Sequence, residues 1–316
     1  MTMINSVLGP LDSADMGFTL MHEHIFGAAA AITQNYPGLM EKDYMKHIIE
    51  GLKKTKAGGI DTVVDATTVD LGRDVNIMAE ASRQSGVNII ACTGWWLTVP
   101  RFVSGTTPDQ WAEVFVRDVQ EGIAGTDIKA GILKGASDMA GVTADEEIIL
   151  RAVARAHRQT GLPIMVHSYS PGQVGRRQIA ILKEEGVDMS RVKMDHSNDT
   201  TDVEYLVWML DQGCYLGLDR YPGQGVSPEA RTRTLKALID AGYKDRLCPS
   251  HDWSLARVAA DALKPLWSRA DREKWNPHGF LYINNVVCPH LKELGVDDKT
   301  INGLFTDNAR RFFEGG

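Results

Sequence analysis

Cysteine is sparse in this sequence, and its spacing argues against the common cysteine-based sites. The chain has 4 cysteines in 316 residues, and no two of them form a C-x-x-C pair. Zinc ribbons and thioredoxin-like redox sites are built from such pairs. We therefore interpret Cys92, Cys214, Cys248 and Cys288 as small buried side chains in a reducing compartment, although the sequence alone leaves disulfides open.

Long apolar runs and clusters of basic residues are missing as well. No stretch is apolar over the roughly 18 residues that a membrane-spanning helix needs, and residues 1–6 lack the basic start and apolar core of a signal peptide. The net charge is −7, and Lys and Arg are dispersed along the chain. We therefore expect a cytoplasmic protein that binds neither membranes nor nucleic acid.

Short apolar segments alternate with amphipathic segments along most of the chain, as is typical of βα units around a parallel sheet. The predicted strands are Phe18 to Ile25, Thr62 to Ala66, Asn88 to Thr93, Ala130 to Lys134, Pro163 to His167, Arg191 to His196, Cys214 to Asp219 and Arg246 to Ser250. The predicted helices between them are Glu41 to Ala57, Asp74 to Ser85, Pro108 to Ala124, Ala144 to Thr160, Val174 to Glu185, Asp202 to Gln212 and Ser227 to Ala241. This order favours an α/β fold, a single (β/α)8 TIM barrel, and we assign residues 1–316 to one domain.

The two ends of the chain depart from this alternation. Residues 1–16 predict a short hairpin that covers the bottom of the barrel. After the eighth strand we expect a polar loop from Leu255 to Asn276, then Phe280 to Gly295, and a last helix from Asp298 to Phe313.

Two histidines lie one residue apart in the first predicted strand. His22 and His24 share one face of this strand, while Glu23 points to the other. Two aligned imidazoles can supply half of a tetrahedral shell for a divalent metal such as Zn²⁺. Two hydrogen-bonded structural histidines would give the same pattern, so the metal interpretation depends on ligands elsewhere in the chain.

Further ligand-type residues follow at the ends of later strands. Lys134 closes the fourth strand, His167 the fifth and His196 the sixth, and Asp252 follows the eighth. The carboxyl ends of the strands form one rim of a TIM barrel, where the chemistry takes place. Each residue has an ordinary explanation by itself, such as a helix cap for Asp252. One metal centre on the rim explains all of them together.

These residues and their surroundings resemble the phosphotriesterase family of the amidohydrolase superfamily, and most of all its lactonase branch. All six ligand positions are filled in the family's order. The matching segments run nearly end to end: LMHEH at 20–24, KAGILK at 129–134, PIMVH at 163–167, DHSNDT at 195–200, GLDRY at 217–221, SHDW at 250–253 and FTDNARRF at 305–312.

The resemblance implies a centre of two divalent metals, with zinc, cobalt, iron or manganese as candidates. His22, His24 and Asp252 would bind the more buried metal, and His167 and His196 the more exposed one. Lys134 would bridge both metals as a carbamate formed with CO₂, because an ammonium group has no lone pair to offer. The metals would share a hydroxide that attacks an ester, and Asp252 would accept its proton as general base. The family also implies a homodimer.

The substrate is less clearly indicated. Aromatic and cationic side chains near the rim are candidates for substrate binding, although at most one of the adjacent tryptophans should face the pocket. These candidates are Phe26, Trp95, Trp96, Tyr169, Arg220, Tyr221 and Trp253. GLDRY at 217–221 fits the lactonase pattern, whereas Trp253 after Asp252 resembles the organophosphate-hydrolysing branch. The lactonase branch usually has a tyrosine in the loop after strand three, where this chain has TGWWL at 93–97.

Several alternatives stay open at this point. Lactones, other carboxylic esters or amides, and phosphotriesters all fit as small-molecule substrates. A barrel that binds metal or a small molecule without catalysis is disfavoured by the presence of Asp252, and a mononuclear deaminase-like enzyme by the presence of Lys134. The other histidines are expected to be structural or exposed, and His251 should point away from the metals if its strand continues.

Overall fold

A parallel sheet curls around the centre of the molecule. The computed structural model describes residues 2–40, 42–257 and 269–315. In these ranges the main sheet has nine strands in the order β10-β9-β8-β7-β6-β5-β4-β3-β11, each parallel to its neighbours. The strands are β1 (Met3–Ser6), β2 (Gly9–Asp12), β3 (Thr19–Gly27), β4 (Thr62–Asp65), β5 (Asn88–Gly94), β6 (Ile132–Ala136), β7 (Ile164–His167), β8 (Val192–Asp195), β9 (Tyr215–Leu218), β10 (Leu247–Pro249) and β11 (Ser254–Arg257).

The barrel closes through its eighth strand, which is broken into two pieces. β10 pairs with β9 on one side, and β11 pairs with β3 on the other. Between the two pieces the backbone N–H of Asp252 donates to the carbonyl of His22 at 3.2 Å, and the N–H of His24 donates to the carbonyl of Trp253 at 2.9 Å. The break therefore lies beside the first strand, where two of the predicted ligands lie. The (β/α)8 barrel predicted from the sequence is confirmed.

Helices surround the sheet and connect its strands. They are α1 (Ile32–Asn35), α2 (Tyr44–Ala57), α3 (Val75–Ser85), α4 (Pro108–Gln120), α5 (Ala144–Thr160), α6 (Gly175–Glu184), α7 (Val203–Asp211), α8 (Pro228–Leu238), α9 (Arg269–Trp275), α10 (Cys288–Glu293), α11 (Asp298–Phe305) and α12 (Asp307–Glu314). Thr143 shows why α5 begins where it does: its side chain caps the N–H of Glu146, whose carboxylate accepts from the N–H of Thr143. Within the described ranges, every helix is too short or too polar to span a bilayer.

The amino-terminal hairpin β1–β2 packs at the amino ends of the strands. The N–H of Val7 donates to the carbonyl of Ile89 at 2.9 Å, and Asn5 Nδ2 donates to the carbonyl of Ala130, also at 2.9 Å. The predicted hairpin over the barrel bottom is thus confirmed. Cys92, Cys214 and Cys248 are buried free thiols, and Cys288 is a partly buried one.

The carboxyl-terminal third differs from the prediction in two places. The predicted polar loop from Leu255 to Asn276 contains β11 and α9, because the chain resumes an extended course after the break and pairs with β3. Residues 258–268 of that loop, and Glu41 at the start of the first predicted helix, lie outside the described residues.

The last predicted helix, Asp298 to Phe313, is divided at Thr306 into α11 and α12. Its two halves bury aromatic rings in different places. Phe305 stacks on Phe18 with ring centroids 4.3 Å apart, and Phe312 meets Tyr215 at 5.1 Å. The assignment of the whole chain to one domain stays a prediction.

Candidate metal centre

The six predicted ligands lie together at the carboxyl end of the barrel. All of them line one cavity of about 540 Å³. His22 and His24 come from β3, Lys134 from β6 and His167 from the end of β7, His196 follows β8, and Asp252 lies in the break of the eighth strand. Parallel strands bring these distant positions to one rim because their carboxyl ends all face the same way.

The first group of donors is formed by His22, His24 and Asp252. Asp252 Oδ1 lies 3.0 Å from His24 Nε2 and 3.4 Å from His22 Nε2. Lys134 Nζ also lies 3.4 Å from His22 Nε2. The other ring nitrogen of His24 lies 2.7 Å from Thr67 Oγ1, so the ring orientation is fixed from behind.

The second group is formed by His167 and His196, whose rings meet edge to face with centroids 4.3 Å apart. His196 Nδ1 donates to Asp219 Oδ1 at 2.9 Å, which leaves the lone pair on Nε2. Trp96 Nε1 donates to His167 Nδ1 at 3.2 Å, so this nitrogen also has a lone pair. The two acceptor nitrogens are only 2.8 Å apart. Two facing lone pairs repel each other, and a shared cation relieves the repulsion.

Buried carboxylates support both groups from below. Asp195 Oδ2 and Asp219 Oδ2 lie 3.0 and 3.1 Å from His22 Nδ1, and both residues are fully buried. Lys193, also fully buried, forms an ion pair with Asp195. Carboxylates behind imidazole ligands fix the tautomer and raise the basicity of the nitrogen that faces the metal.

The electrostatic environment shifts the pKa values of the histidines in different directions. Burial lowers the pKa of His167, and burial together with Arg220 lowers that of His196 well below its usual range, so both rings are neutral, the form that binds metals. Burial and Lys134 also lower the pKa of His22, but Asp195 and Asp219 outweigh them and raise it to about 10. The two carboxylates behind His22 therefore favour positive charge on this ring.

Two residues of the centre adopt an uncommon backbone conformation. His196 has φ +60° and Asp252 has φ +53°, in the left-handed region. For residues other than glycine this conformation costs about 1–2 kcal/mol each. Such strain often marks functional sites.

These donors fit divalent metals. Imidazole nitrogens and a carboxylate are ligands that Zn²⁺ and its neighbours accept. His22, His196 and Asp252 offer ligand atoms within 4.8 Å of one another. The fit rests on this donor set and on the two facing nitrogens of His167 and His196.

Only some of the predicted substrate-binding residues line the described cavity. Trp96 and Arg220 line the cavity with the ligands. The described lining does not include Phe26, which packs on Tyr44, or Trp95, which packs on Trp111. Three further candidates also lie outside it: Tyr169 beside Gly172, the fully buried Tyr221, and Trp253, which lines two neighbouring recesses.

Sequence reasoning missed the residues that orient the ligands. Asp195, Asp219, Asp138 and Thr67 each contact a predicted ligand histidine. Asp195 directly precedes His196 in the sequence, and such a strand-end acid beside a ligand could have been recognised. Asp138 lies in a loop, where spacing gives no indication of its 3.4 Å contact with His167.

Comparison with known proteins places these features in a family. The model of the phosphotriesterase family matches residues 2–313. A phosphotriesterase homology protein of Mycobacterium tuberculosis is 39% identical over 323 residues, covering 98% of this chain and 97% of the relative. An aryldialkylphosphatase of Saccharolobus solfataricus is 34% identical over 307 residues, covering 96% of each chain. An N-acetyltaurine hydrolase of Xenopus tropicalis is 26% identical over 351 residues, covering 98% and 97%.

The family model matches nearly the whole chain, and the alignments with the first two relatives cover almost the full length of both proteins. The barrel and the cluster of ligand-type side chains agree with it. The chain is therefore a hydrolase of the phosphotriesterase family, whose members use divalent metals.

Proposed function

We propose that this hydrolase opens lactones or cleaves related carboxylic esters, with organophosphate triesters as promiscuous substrates. The observation that carries the proposal is the convergence of four imidazoles, Lys134 and Asp252 on one cavity of about 540 Å³. A pocket of this size holds a small organic substrate.

The proposed centre holds two divalent metals. His22, His24 and Asp252 would hold one, and His167 and His196 the other. Lys134, which is 1% exposed and lies 3.4 Å from His22 Nε2, would serve both metals as a carbamate formed with CO₂. Bound metals of this kind lower the pKa of a water molecule and polarise a carbonyl or phosphoryl oxygen. Zinc suits the donor set, and cobalt, iron and manganese are alternatives.

Asp252 is the proposed proton acceptor. One of its oxygens faces His22 and His24, and the other accepts from Arg220 Nε at 3.1 Å. Arg220 is itself held by Asp199, 2.5 Å from its terminal nitrogen. Because a guanidinium group does not release its proton at working pH, Arg220 orients Asp252 and does not relay the proton.

The cavity walls favour a substrate with an apolar part, although Arg220 and Arg257 also line the cavity. Beyond the ligands they are formed largely by Ala28, Ala29, Ile32, Leu39, Leu71 and Trp96. Such walls suit an acyl chain or an aryl group. The aryldialkylphosphatase relative favours organophosphate triesters as a second substrate class. The N-acetyltaurine hydrolase relatives keep amides and other carboxylic esters as alternatives.

A paired assay tests the proposal. Enzyme reconstituted with metal in the presence of bicarbonate is given a long-chain lactone and paraoxon, and kcat/KM is measured for each. A lactone preference of several orders of magnitude supports a lactonase. A preference for paraoxon supports a dedicated phosphotriesterase, and failure on both overturns the substrate proposal and directs the search to other esters and amides.

We also propose that the chain forms a homodimer, as family members commonly do. Sedimentation velocity of the full chain tests this, because a monomer at micromolar concentration contradicts it. The cytoplasmic location stays a prediction.

A further inference from the structure

A buried acidic residue, Glu23, lies between the two histidines of β3 and faces away from the cavity. It is fully buried. In the described part of the chain, its two oxygens accept hydrogen bonds from four donors. Oε1 accepts from Ser250 Oγ at 2.8 Å, from the backbone N–H of His251 at 2.9 Å and from His251 Nδ1 at 2.5 Å, and Oε2 accepts from the backbone N–H of Trp253 at 3.1 Å.

All of these donors flank Asp252, the proposed proton acceptor. Asp252 lies at the break of the eighth strand with φ +53°, a conformation that the backbone does not favour by itself. Its own N–H is bonded to the carbonyl of His22. Through these hydrogen bonds Glu23 connects the residues on both sides of Asp252 to β3, the strand that carries His22 and His24.

His251 extends this arrangement to the carboxyl-terminal part of the chain. Its Nδ1 donates to Glu23, and its Nε2 accepts from the N–H of Ile283 at 3.1 Å. The ring is thus fixed at both nitrogens and is directed away from the metal ligands, as expected from the sequence. The segment around Ile283, outside the rim, is therefore connected through His251 to the break in the eighth strand.

We propose that Glu23 is a positioning residue that holds Asp252 in its place relative to His22 and His24. This inference rests on the proposed function, because it assigns Glu23 a task toward the proposed metal centre. A carboxylate suits the task because both of its oxygens only accept hydrogen bonds. An amide of the same shape would turn an N–H₂ group toward one of the donors and lose that bond.

The test compares Glu23→Gln with Glu146→Gln. Glu146 is a matched control because it is also buried and accepts from a backbone N–H, at 2.9 Å, but belongs to the cap of α5. We expect Glu23→Gln to lower kcat by about a hundredfold, as a misplacement near 1 Å does, while KM stays within about threefold. The d–d absorption bands of the Co²⁺-substituted protein should change in the same way as in Asp252→Asn. Glu146→Gln should leave the bands and kcat as in wild type.

The cobalt spectrum separates this inference from the proposed function. If wild-type enzyme turns over neither lactone nor paraoxon, the proposed substrates fail, but the spectrum still reports the position of Asp252. If Glu23→Gln and wild type have the same bands and the same kcat, the positioning role is overturned. A loss of thermal stability with unchanged bands and kcat would show a role in folding alone and would also overturn it.

A second pair of variants serves if Glu23→Gln does not fold. In His251→Asn the amide nitrogen takes the place of Nδ1 and keeps the bond to Glu23, whereas His251→Leu loses it. We expect kcat of the Asn variant to exceed that of the Leu variant by about tenfold, near the value of one lost hydrogen bond, with cobalt bands closer to wild type. Equal kcat and equal spectra in the two variants would contradict the proposal.

Discussion

At the scale of single residues, the centre depends on the groups behind the ligands. The imidazoles of His22 and His196 have buried carboxylates within about 3 Å on the side away from the cavity. These contacts determine which ring nitrogen faces the cavity. We therefore expect the candidate ligands and these carboxylates to act together in the proposed centre.

Asp252 and Lys134 are the first residues to substitute. Asp252→Asn should lower kcat/KM by about 10² to 10⁴, because proton transfer by a positioned side chain contributes that much. Lys134→Ala should remove nearly all turnover and lower the number of metal ions bound per chain. Steady-state kinetics and elemental analysis check both. The exposed Lys183→Ala is the control, and substantial activity in Lys134→Ala or Asp252→Asn would contradict the assignment.

Asp219→Asn tests the supporting carboxylates. Burial raises the pKa of Asp219, but His22 and Lys193 outweigh it and lower the pKa to about 2, so the group is a carboxylate at any working pH. Its replacement should weaken metal binding by about 10- to 100-fold. A competition titration with a chelator measures this. Asp211→Asn, at an exposed aspartate bonded to Tyr243, should bind metal like wild type; equal affinities in both variants would refute the role.

The sequence was enough to predict that the six candidate ligands lie together, but not which aromatic residues line the cavity. His22, His24 and the strand-end ligands could be placed because strand direction and period determine where they point. Trp95 and Trp96 could not be separated, since the chain leaves its strand at Gly94 and the period of two no longer applies. Tyr221 was predicted as a rim aromatic, yet it is 1% exposed, in a stretch of chain after β9 that is hydrogen-bonded to Arg231 of α8.

At the scale of elements, close backbone contacts fix the ends of the strands. Gly94 ends β5 with φ +133°, and a Cβ atom there would lie 1.9 Å from the carbonyl oxygen of Lys134. The strand carrying Lys134 can approach β5 only because this residue has no side chain. A similar close contact lies just before β6, which begins at Ile132 and not at Ala130 as predicted: a Cβ atom on Gly131 would lie 2.4 Å from the carbonyl oxygen of Asn5 in the hairpin.

Gly94→Ala should therefore cost more stability than an ordinary left-handed glycine. We expect a loss of about 3 kcal/mol in the free energy of unfolding, from strain and overpacking together. Gly86→Ala is the matched comparison, because Gly86 has φ +73° with nothing within 4 Å of the added atom. It should lose about 1 kcal/mol. Urea unfolding measures both, and equal losses would contradict the contact.

Helix α5 contains a histidine whose burial makes stability depend on pH. His157 Nδ1 donates to the carbonyl of Leu162 at 2.7 Å, and burial lowers its pKa below the ordinary 6.5. The unfolded chain therefore binds this proton first as pH falls. The stabilisation is complete above pH 6.5 and declines below it, by at most about 1.4 kcal/mol per pH unit.

Urea unfolding at pH 7.5, 6.5 and 5.5 checks this slope. His157→Gln should unfold with a shallower dependence on pH than wild type. The same change at the exposed His278 should keep the wild-type slope. A slope unaffected by His157→Gln would refute the assignment.

At the scale of the whole molecule, the barrel closes beside the proposed metal centre. The eighth strand is broken so that Asp252 can turn into the cavity, and β11 then completes the sheet against β3. The alternation of strands and helices was enough to predict the barrel. The broken strand was not predicted, because β11 has only four residues, too few for a clear periodic pattern. Its partner, β3, is more than 200 positions away in sequence.

The central claim is that two metals bind on either side of Lys134. The most direct measurement is a crystal structure of the protein reconstituted with zinc and bicarbonate, with anomalous differences collected at the zinc edge. The account predicts two peaks, one beside His22, His24 and Asp252 and one beside His167 and His196, with carbamate density beyond Lys134 Nζ. A single peak, or an unmodified Lys134 beside two peaks, would contradict it.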